Sequence, residues 1–345
     1  MRVAKLYRFG EIKIEEMPVP EPGPRDALVK VKACGICSGD IMPWYIEKKA
    51  PLVLGHEISG EIVKIGEEIK SEIFLKEGDR VAVHHHAPCM GCFYCKRGDF
   101  VQCETWRKSK IIPGGMAEYI VVPEVNLRND TLKLPDSLSF EQGALVEPVA
   151  CVVKSLKRAN IKKGDTVLVI GLGVMGQIHI MLARQFGAQK VIGADMVSFR
   201  LEKAMKAGAD HVIDVSREDI YEELKNLTDG LMAQAVIIGP GSVDVITNSL
   251  RLVSRGGTLL IFTPTSPEQK LCFSVNDIYF NDISITTSYS CGPDDTKEAL
   301  KFIENGIVDS NVLITHRFPI EKVNEAYEIT AMAKNSLKCM ILLNS

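Results

Sequence analysis

The sequence predicts an α/β protein in two parts, a partial barrel of short strands followed by a doubly wound parallel sheet with helices on both faces. Three observations carry this. Over roughly the first 135 residues, β-branched residues recur in short runs cut by Gly and Pro, the texture of an all-β unit. From Pro148 onward, apolar runs alternate with helix-like stretches, as parallel sheets require. A glycine-rich turn joins the first apolar run to the first of those helices.

Taken in order, the strands expected in the first part are 27–33 (ALVKVKA), 57–65 (EISGEIVKI), 80–83 and 116–122. The second part opens with strand 166–170 (TVLVI) and a helix over 174–186. Strand 190–194, helix 198–207, strand 211–213, helix 220–227 and strand 235–238 follow. Helix 243–253 and strand 257–262 complete the alternation. Amphipathic helices at 294–305 and 321–333 and a strand at 339–343 close the chain. No internal repeat or low-complexity tract interrupts this order.

The 345 residues are enough for two domains. Hydrophobic residues at 46% and charged residues at 25% exclude a disordered chain. A net charge of −3 provides no field to hold a polyanion, so neither nucleic acid nor an anionic membrane is expected as partner. No apolar run approaches the roughly 18 residues that span a bilayer. The first residues lack the apolar core of a signal peptide, which makes the expected location cytoplasmic. Ten cysteines in such a compartment ask for an explanation other than disulfides.

Cys89-x2-Cys92-x2-Cys95-x7-Cys103 supplies one. Two-residue spacings let neighbouring thiolates converge on one ion, and a more distant fourth closes a tetrahedron. Four thiolates leave no open position, so such a site holds structure. An iron–sulfur cluster also takes four cysteines, and spacing alone leaves both open. Cys34, Cys151, Cys272, Cys291 and Cys339 have no partner spacing and read as small buried hydrophobes.

Gly171-Leu-Gly173-Val174-Met175-Gly176 follows strand 166–170 directly and opens a helix. In that context the first Gly makes the turn and the second admits a pyrophosphate. The third packs helix on strand, and the helix N-terminus supplies donors to phosphate. Asp195 ends the next strand, where an acid bonds the adenosine ribose hydroxyls and repels a 2′-phosphate; NAD is therefore expected over NADP. Arg200, five residues on, is placed to stack on adenine or to lie in solvent.

Gly55-His56-Glu57, Cys34-Gly-Ile-Cys37-Ser38-Gly-Asp40 and Glu147-Pro148 contain the residue types of an open, catalytic zinc site. His84-His85-His86 invites a metal reading too. On a strand, alternate residues face opposite sides, so ordinary strand and loop histidines are expected there.

In this order, these motifs resemble the zinc-dependent medium-chain alcohol dehydrogenases, along essentially the whole chain. The resemblance is nearest the sorbitol and threonine dehydrogenase branch, which has Glu-Pro where liver-type members have a ligand cysteine. Gly78-Asp79-Arg80-Val81, the run from Gly114 to Tyr119, and the tail from Ile314 to Pro319 with Ala326-Tyr327 match as well. It implies a GroES-like catalytic domain over 1–150 with a zinc lobe near 85–110, a Rossmann domain over 151–290, and a return to the first domain over 291–345. By the same resemblance Cys37 and His56 are catalytic-zinc ligands, Glu57 and Glu147 alternating or additional ones, and Asp40 orients His56. Cys89, Cys92, Cys95 and Cys103 become the structural zinc site. The implied activity is NAD-linked oxidation of a secondary alcohol, a polyol or sugar alcohol, to a ketone, with L-threonine or a related 3-hydroxy compound as the alternative substrate. A homotetramer is expected, or else a homodimer, paired through an edge strand at 283–287. Two departures stand out. Gly39 and Met42 replace the family's proton-relay residues, leaving Ser38, a water molecule or Glu147 to carry the proton. At 288–291 the stretch Ser-Tyr-Ser-Cys has no Arg at 290 to help bind a polyol.

Overall fold

The computed structural model describes residues 1–344. The chain divides into two compact units. One takes Met1–Ala150, Ser290–Gly306 and the chain from Ile314 onward; the other takes Cys151–Tyr289 and Ile307–Leu313. The short excursion at Ile307–Leu313 has no counterpart in the sequence reading.

In the first unit, strand Ala27–Gly35 is central. It pairs antiparallel with Glu57–Ile65, Tyr119–Val122 and Lys338–Leu342. Arg80–His84 and Thr131–Lys133 extend the sheet on one side, and Ile314–Pro319 on the other. Ala27, Val29 and Val31 are wholly buried while Leu28, Lys30 and Lys32 are half-buried, the alternation of a sheet with one face on a core. A bulge at Lys32 bends this strand, and one at Val63 bends its partner Glu57–Ile65. At its end the alternation stops: Ala33, Cys34 and Gly35 are all buried. A smaller sheet of Glu11–Glu16, Arg2–Arg8 and Leu52–Val53 lies in the same unit.

The second unit holds a six-stranded parallel sheet. Its order is His211–Asp214, Lys190–Asp195, Thr166–Ile170, Ala233–Ile238, Val253–Ile261 and Ser284–Thr287. Val167 to Ile170 and Val191 to Asp195 are buried without alternation, because helices cover both faces. The strand order reverses between Thr166–Ile170 and Ala233–Ile238, the place where open α/β sheets bind ligands. The helix expected over 174–186 ends at Ala183 and tightens into a 3-10 turn that stops at Gly187. Likewise 243–253 splits into helix Val243–Asn248 and the turn Ser249–Leu252. Val253 already belongs to the next strand, pairing with Ala233 ahead of a register shift.

Candidate metal centres and dinucleotide site

Neighbouring strand ends assemble the first centre. Cys37 follows strand Ala27–Gly35 and caps the turn Ser38–Ile41, its Sγ accepting the Gly39 N–H at 3.3 Å. His56 and Glu57 enter the adjacent antiparallel strand, with Glu57 opposite Gly35. One ligand atom from each of Cys37, His56 and Glu57 lies within 4.8 Å of the others. Asp40 Oδ2 stands 3.8 Å from His56 Nδ1, an ion-pair separation and not a hydrogen bond. Burial opposes charge on His56, but the Asp40 carboxylate and the Cys37 sulfur outweigh it and hold the imidazole well above its usual pKa. Burial itself raises the Asp40 pKa. Ser38 sits exposed at the first position of the turn.

Glu57 has a partner that the sequence did not suggest. Lys338 opens the closing strand, is 1% exposed, and donates to Glu57 Oε1 at 2.7 Å, Glu57 Oε2 at 2.6 Å and the Ile36 carbonyl at 2.9 Å. All three ammonium donors are used. Burial disfavours the charged lysine, yet the Glu57 carboxylate more than offsets this and raises its pKa. Gly35 makes room for the pair, since a Cβ there would overlap the Glu57 carboxylate. A lysine before an apolar strand ordinarily reads as a solvated flank, so no local signal marked it.

Glu147, in the first turn of helix Val146–Arg158, joins a different group. Its carboxylate and one ring nitrogen each of His84 and His85 lie within 4.8 Å of one another. As expected for a strand and the loop after it, the three histidines do not converge on one point, although His84 and His85 come together. Strand Arg80–His84 ends at His84, and the His85 ring packs 4.8 Å from that of His56. The expectation for cysteines fails at Cys272, which is exposed, whereas Cys34, Cys291 and Cys339 are buried and Cys151 is half-buried.

Cys89, Cys92, Cys95 and Cys103 converge. Sulfur separations are 3.5 Å for Cys92–Cys95, 3.6 Å for Cys89–Cys103 and 4.0 Å for Cys89–Cys95. A tetrahedron with zinc–sulfur bonds of about 2.3 Å has edges of about 3.8 Å. The lobe therefore has the dimensions of a closed zinc site. Phe100, Val101 and the buried Trp106 pack beneath it with Cys95 and Cys103.

In the second unit, Gly171 turns the chain at φ +86° between strand Thr166–Ile170 and helix Val174–Ala183. Gly173 occupies the helix N-cap, with Val174 and Met175 the first helical residues. A Cβ at Gly176 would overlap the Gly171 carbonyl, so helix and strand meet at a separation only Gly permits. Asp195 is buried at its strand end and braces the turn. Oδ2 accepts from Leu172 N at 2.7 Å, and Oδ1 from Met196 N at 2.8 Å and Val197 N at 3.0 Å. Arg200 lies 3.5 Å from Asp195 Oδ2, an ion pair beside the glycine turn. Open helical N–H groups, a tight glycine turn and a carboxylate at the neighbouring strand end fit a dinucleotide.

Two family models match the chain: an alcohol dehydrogenase GroES-like domain over residues 23–136 and a zinc-binding dehydrogenase over residues 174–305. The sorbitol dehydrogenase of Bacillus subtilis is 32% identical, the match covering 100% of this chain and 98% of that protein. A Sinorhizobium meliloti protein described as a zinc-binding dehydrogenase and bound to NADP is 28% identical with a TM-score of 0.88, over 99% of this chain and 98% of that one. An Escherichia coli CFT073 protein described as a short chain alcohol dehydrogenase and complexed with NADH is 25% identical with a TM-score of 0.88, over 99% of both. Among the described residues, no helix is long and apolar enough to cross a membrane.

Proposed function

The chain belongs to the zinc-dependent medium-chain alcohol dehydrogenases, oxidoreductases that use zinc and a nicotinamide dinucleotide, and on that premise we propose that it oxidises a secondary alcohol of a polyol or sugar alcohol to the ketone, with NAD as hydride acceptor. The observation that carries this reading is the meeting of Cys37, His56 and Glu57 within 4.8 Å at paired strand ends, in a chain 32% identical to a sorbitol dehydrogenase along its whole length. A zinc ion bound there supplies Lewis-acid polarisation of a hydroxyl oxygen, and the dinucleotide supplies the hydride acceptor. Cys37 and His56 hold the metal, Glu57 and Glu147 serve as alternating or additional carboxylates, and Asp40 biases the orientation of His56. Lys338 pairs with Glu57, which would weaken that carboxylate as a ligand to a bound metal. The hydroxyl proton leaves through Ser38, a water molecule or Glu147, since Gly39 and Met42 offer no group to carry it. Cys89, Cys92, Cys95 and Cys103 hold the structural zinc.

A panel of polyols, simple secondary alcohols, sugar acids and L-threonine, read by the absorbance of reduced nicotinamide, tests the substrate class. Turnover of polyols is expected, and oxidation of L-threonine alone overturns the reading. Cys37→Ala or His56→Ala should remove the catalytic zinc and turnover while dinucleotide binding survives; retained turnover shows the ligands to be others.

Cofactor choice rests on Asp195. A charge-assisted bond to ribose and the repulsion of a 2′-phosphate together give a preference of roughly 3 kcal/mol, about a hundredfold for NAD over NADP. Asp195→Ser should narrow that ratio, and it also loosens the turn at Leu172 that the carboxylate braces. Equal use of NADP by the wild-type protein overturns this assignment. The unit of function is proposed to be a homotetramer, or a homodimer, in the cytoplasm.

A further inference from the structure

We propose that His84, His85, Glu147 and Cys291 form a second transition-metal site in the first unit, beside the Cys37–His56 centre and separate from it. Ligand atoms of His84, His85 and Glu147 lie within 4.8 Å of one another, and Cys291 Sγ stands 3.7 Å from His84 Nε2. In a tetrahedral site with zinc–sulfur and zinc–nitrogen bonds of about 2.3 and 2.05 Å, the sulfur–nitrogen edge is about 3.6 Å. The His84–Cys291 separation already has that length, and ligand atoms of His85 and Glu147 lie within 4.8 Å of that of His84.

The surroundings are built for a ligand histidine. His84 Nδ1–H donates to Asp130 Oδ2 at 2.6 Å, and Asp130 Oδ1 accepts the Thr296 hydroxyl at 2.5 Å. This carboxylate–imidazole pair fixes the ring so that Nε2 points to Cys291, the arrangement by which metal-bound histidines are oriented. All of these groups are buried except His85, which is half-buried. His85 Nδ1 is itself buried without a hydrogen-bond partner, a cost that a bound cation removes. A carboxylate and a thiolate balance the charge of a divalent ion at the ligands, and the Asp130 carboxylate behind His84 adds one further negative charge that favours a cation there. The donor mixture selects a borderline ion such as Zn2+ or Co2+ over Mg2+ or Ca2+. An ion there would fix Glu147 and so govern whether that carboxylate reaches the neighbouring centre.

This inference goes beyond the proposed activity, and metal stoichiometry separates the two. Full-length protein equilibrated with excess Zn2+, desalted and analysed for zinc and sulfur should contain three zinc ions per chain. Cys291→Ser and Cys37→Ala should each contain two, and the double variant one. Circular dichroism verifies folding, and His85→Gln, at a less buried position, should also lose one ion if Cys291→Ser does not fold. Two ions in the wild type, unchanged by Cys291→Ser and by His85→Gln, overturn the second site and leave the Cys37–His56 assignment standing. A count unchanged by Cys37→Ala instead overturns that assignment.

Discussion

At the scale of single residues, Lys338 and Glu57 form a buried ion pair. Both are 1% exposed, so removing one partner leaves an uncompensated buried charge. Lys338→Met should therefore cost about 3–5 kcal/mol, read as a lower urea midpoint, and Glu57→Gln introduced with it should recover part of the loss. If Lys338→Met unfolds at the wild-type midpoint, the pair is not the brace described. His179 is a second such residue. Its Nδ1–H donates to the Met175 carbonyl at 2.8 Å, and its Nε2 accepts the Ser155 hydroxyl at 2.6 Å. Burial lowers its pKa to about 4, so the folded state binds its proton less readily than the unfolded state does. The stability from the neutral ring is complete above the unfolded pKa of about 6.5 and is lost as pH falls from there toward 4. The loss amounts to about 3 kcal/mol. His179→Gln should flatten the dependence of the urea midpoint on pH across that window, and an unchanged slope excludes His179 as its source. Neither Lys338 nor His179 was marked by the sequence, because burial and the partner's position are set by distant segments.

At the scale of elements, the cysteine lobe and the Cys37–His56 centre should respond differently to chelation. On the proposed assignment four thiolates would close the lobe, which packs on Trp106, whereas the other centre would keep an open position for exchange. Mild chelation should abolish activity before the circular dichroism changes. Loss of structure first contradicts the assignment of the two sites. Trp106→Ala removes the side chain beneath the lobe and should destabilise it by about 3–5 kcal/mol, with faster zinc release from the four thiolates. The lobe was legible because its ligands fall within fifteen residues, where spacing alone dictates convergence. Strands 57–65, 166–170 and helix 220–227 were legible residue for residue because their apolar patterns coincide with their hydrogen-bonded limits. The ends of the helices after Gly173 and Ser242 were not. Their apolar periodicity runs on through a 3-10 turn, and the turn is fixed by how the chain meets the sheet.

At the scale of the molecule, the second unit presents an apolar edge. Val275, Tyr279 and Phe280 are 78%, 72% and 74% exposed, close in sequence to the outer strand Ser284–Thr287. Contiguous exposed apolar surface next to an unpaired strand edge marks an association surface. Light scattering at micromolar concentration should give an oligomer, and Tyr279→Glu with Phe280→Glu should reduce it to a smaller species. A clean wild-type monomer refutes the association.

The sequence by itself determined the class of each unit, the four clustered cysteines of the lobe, the glycine turn with Asp195, and the residue types of the proposed metal centre. These are local patterns, in which covalent spacing limits what the side chains can reach. Only the tertiary structure decided which partners those residues meet. It pairs Glu57 with Lys338, 281 positions away, and brings Glu147 to His84 and His85. It also places Cys291 against a histidine 207 positions away. Each of these depends on strand register and helix docking, which bury a charge or a thiol only where a distant segment satisfies it, and no spacing within the chain encodes that distance.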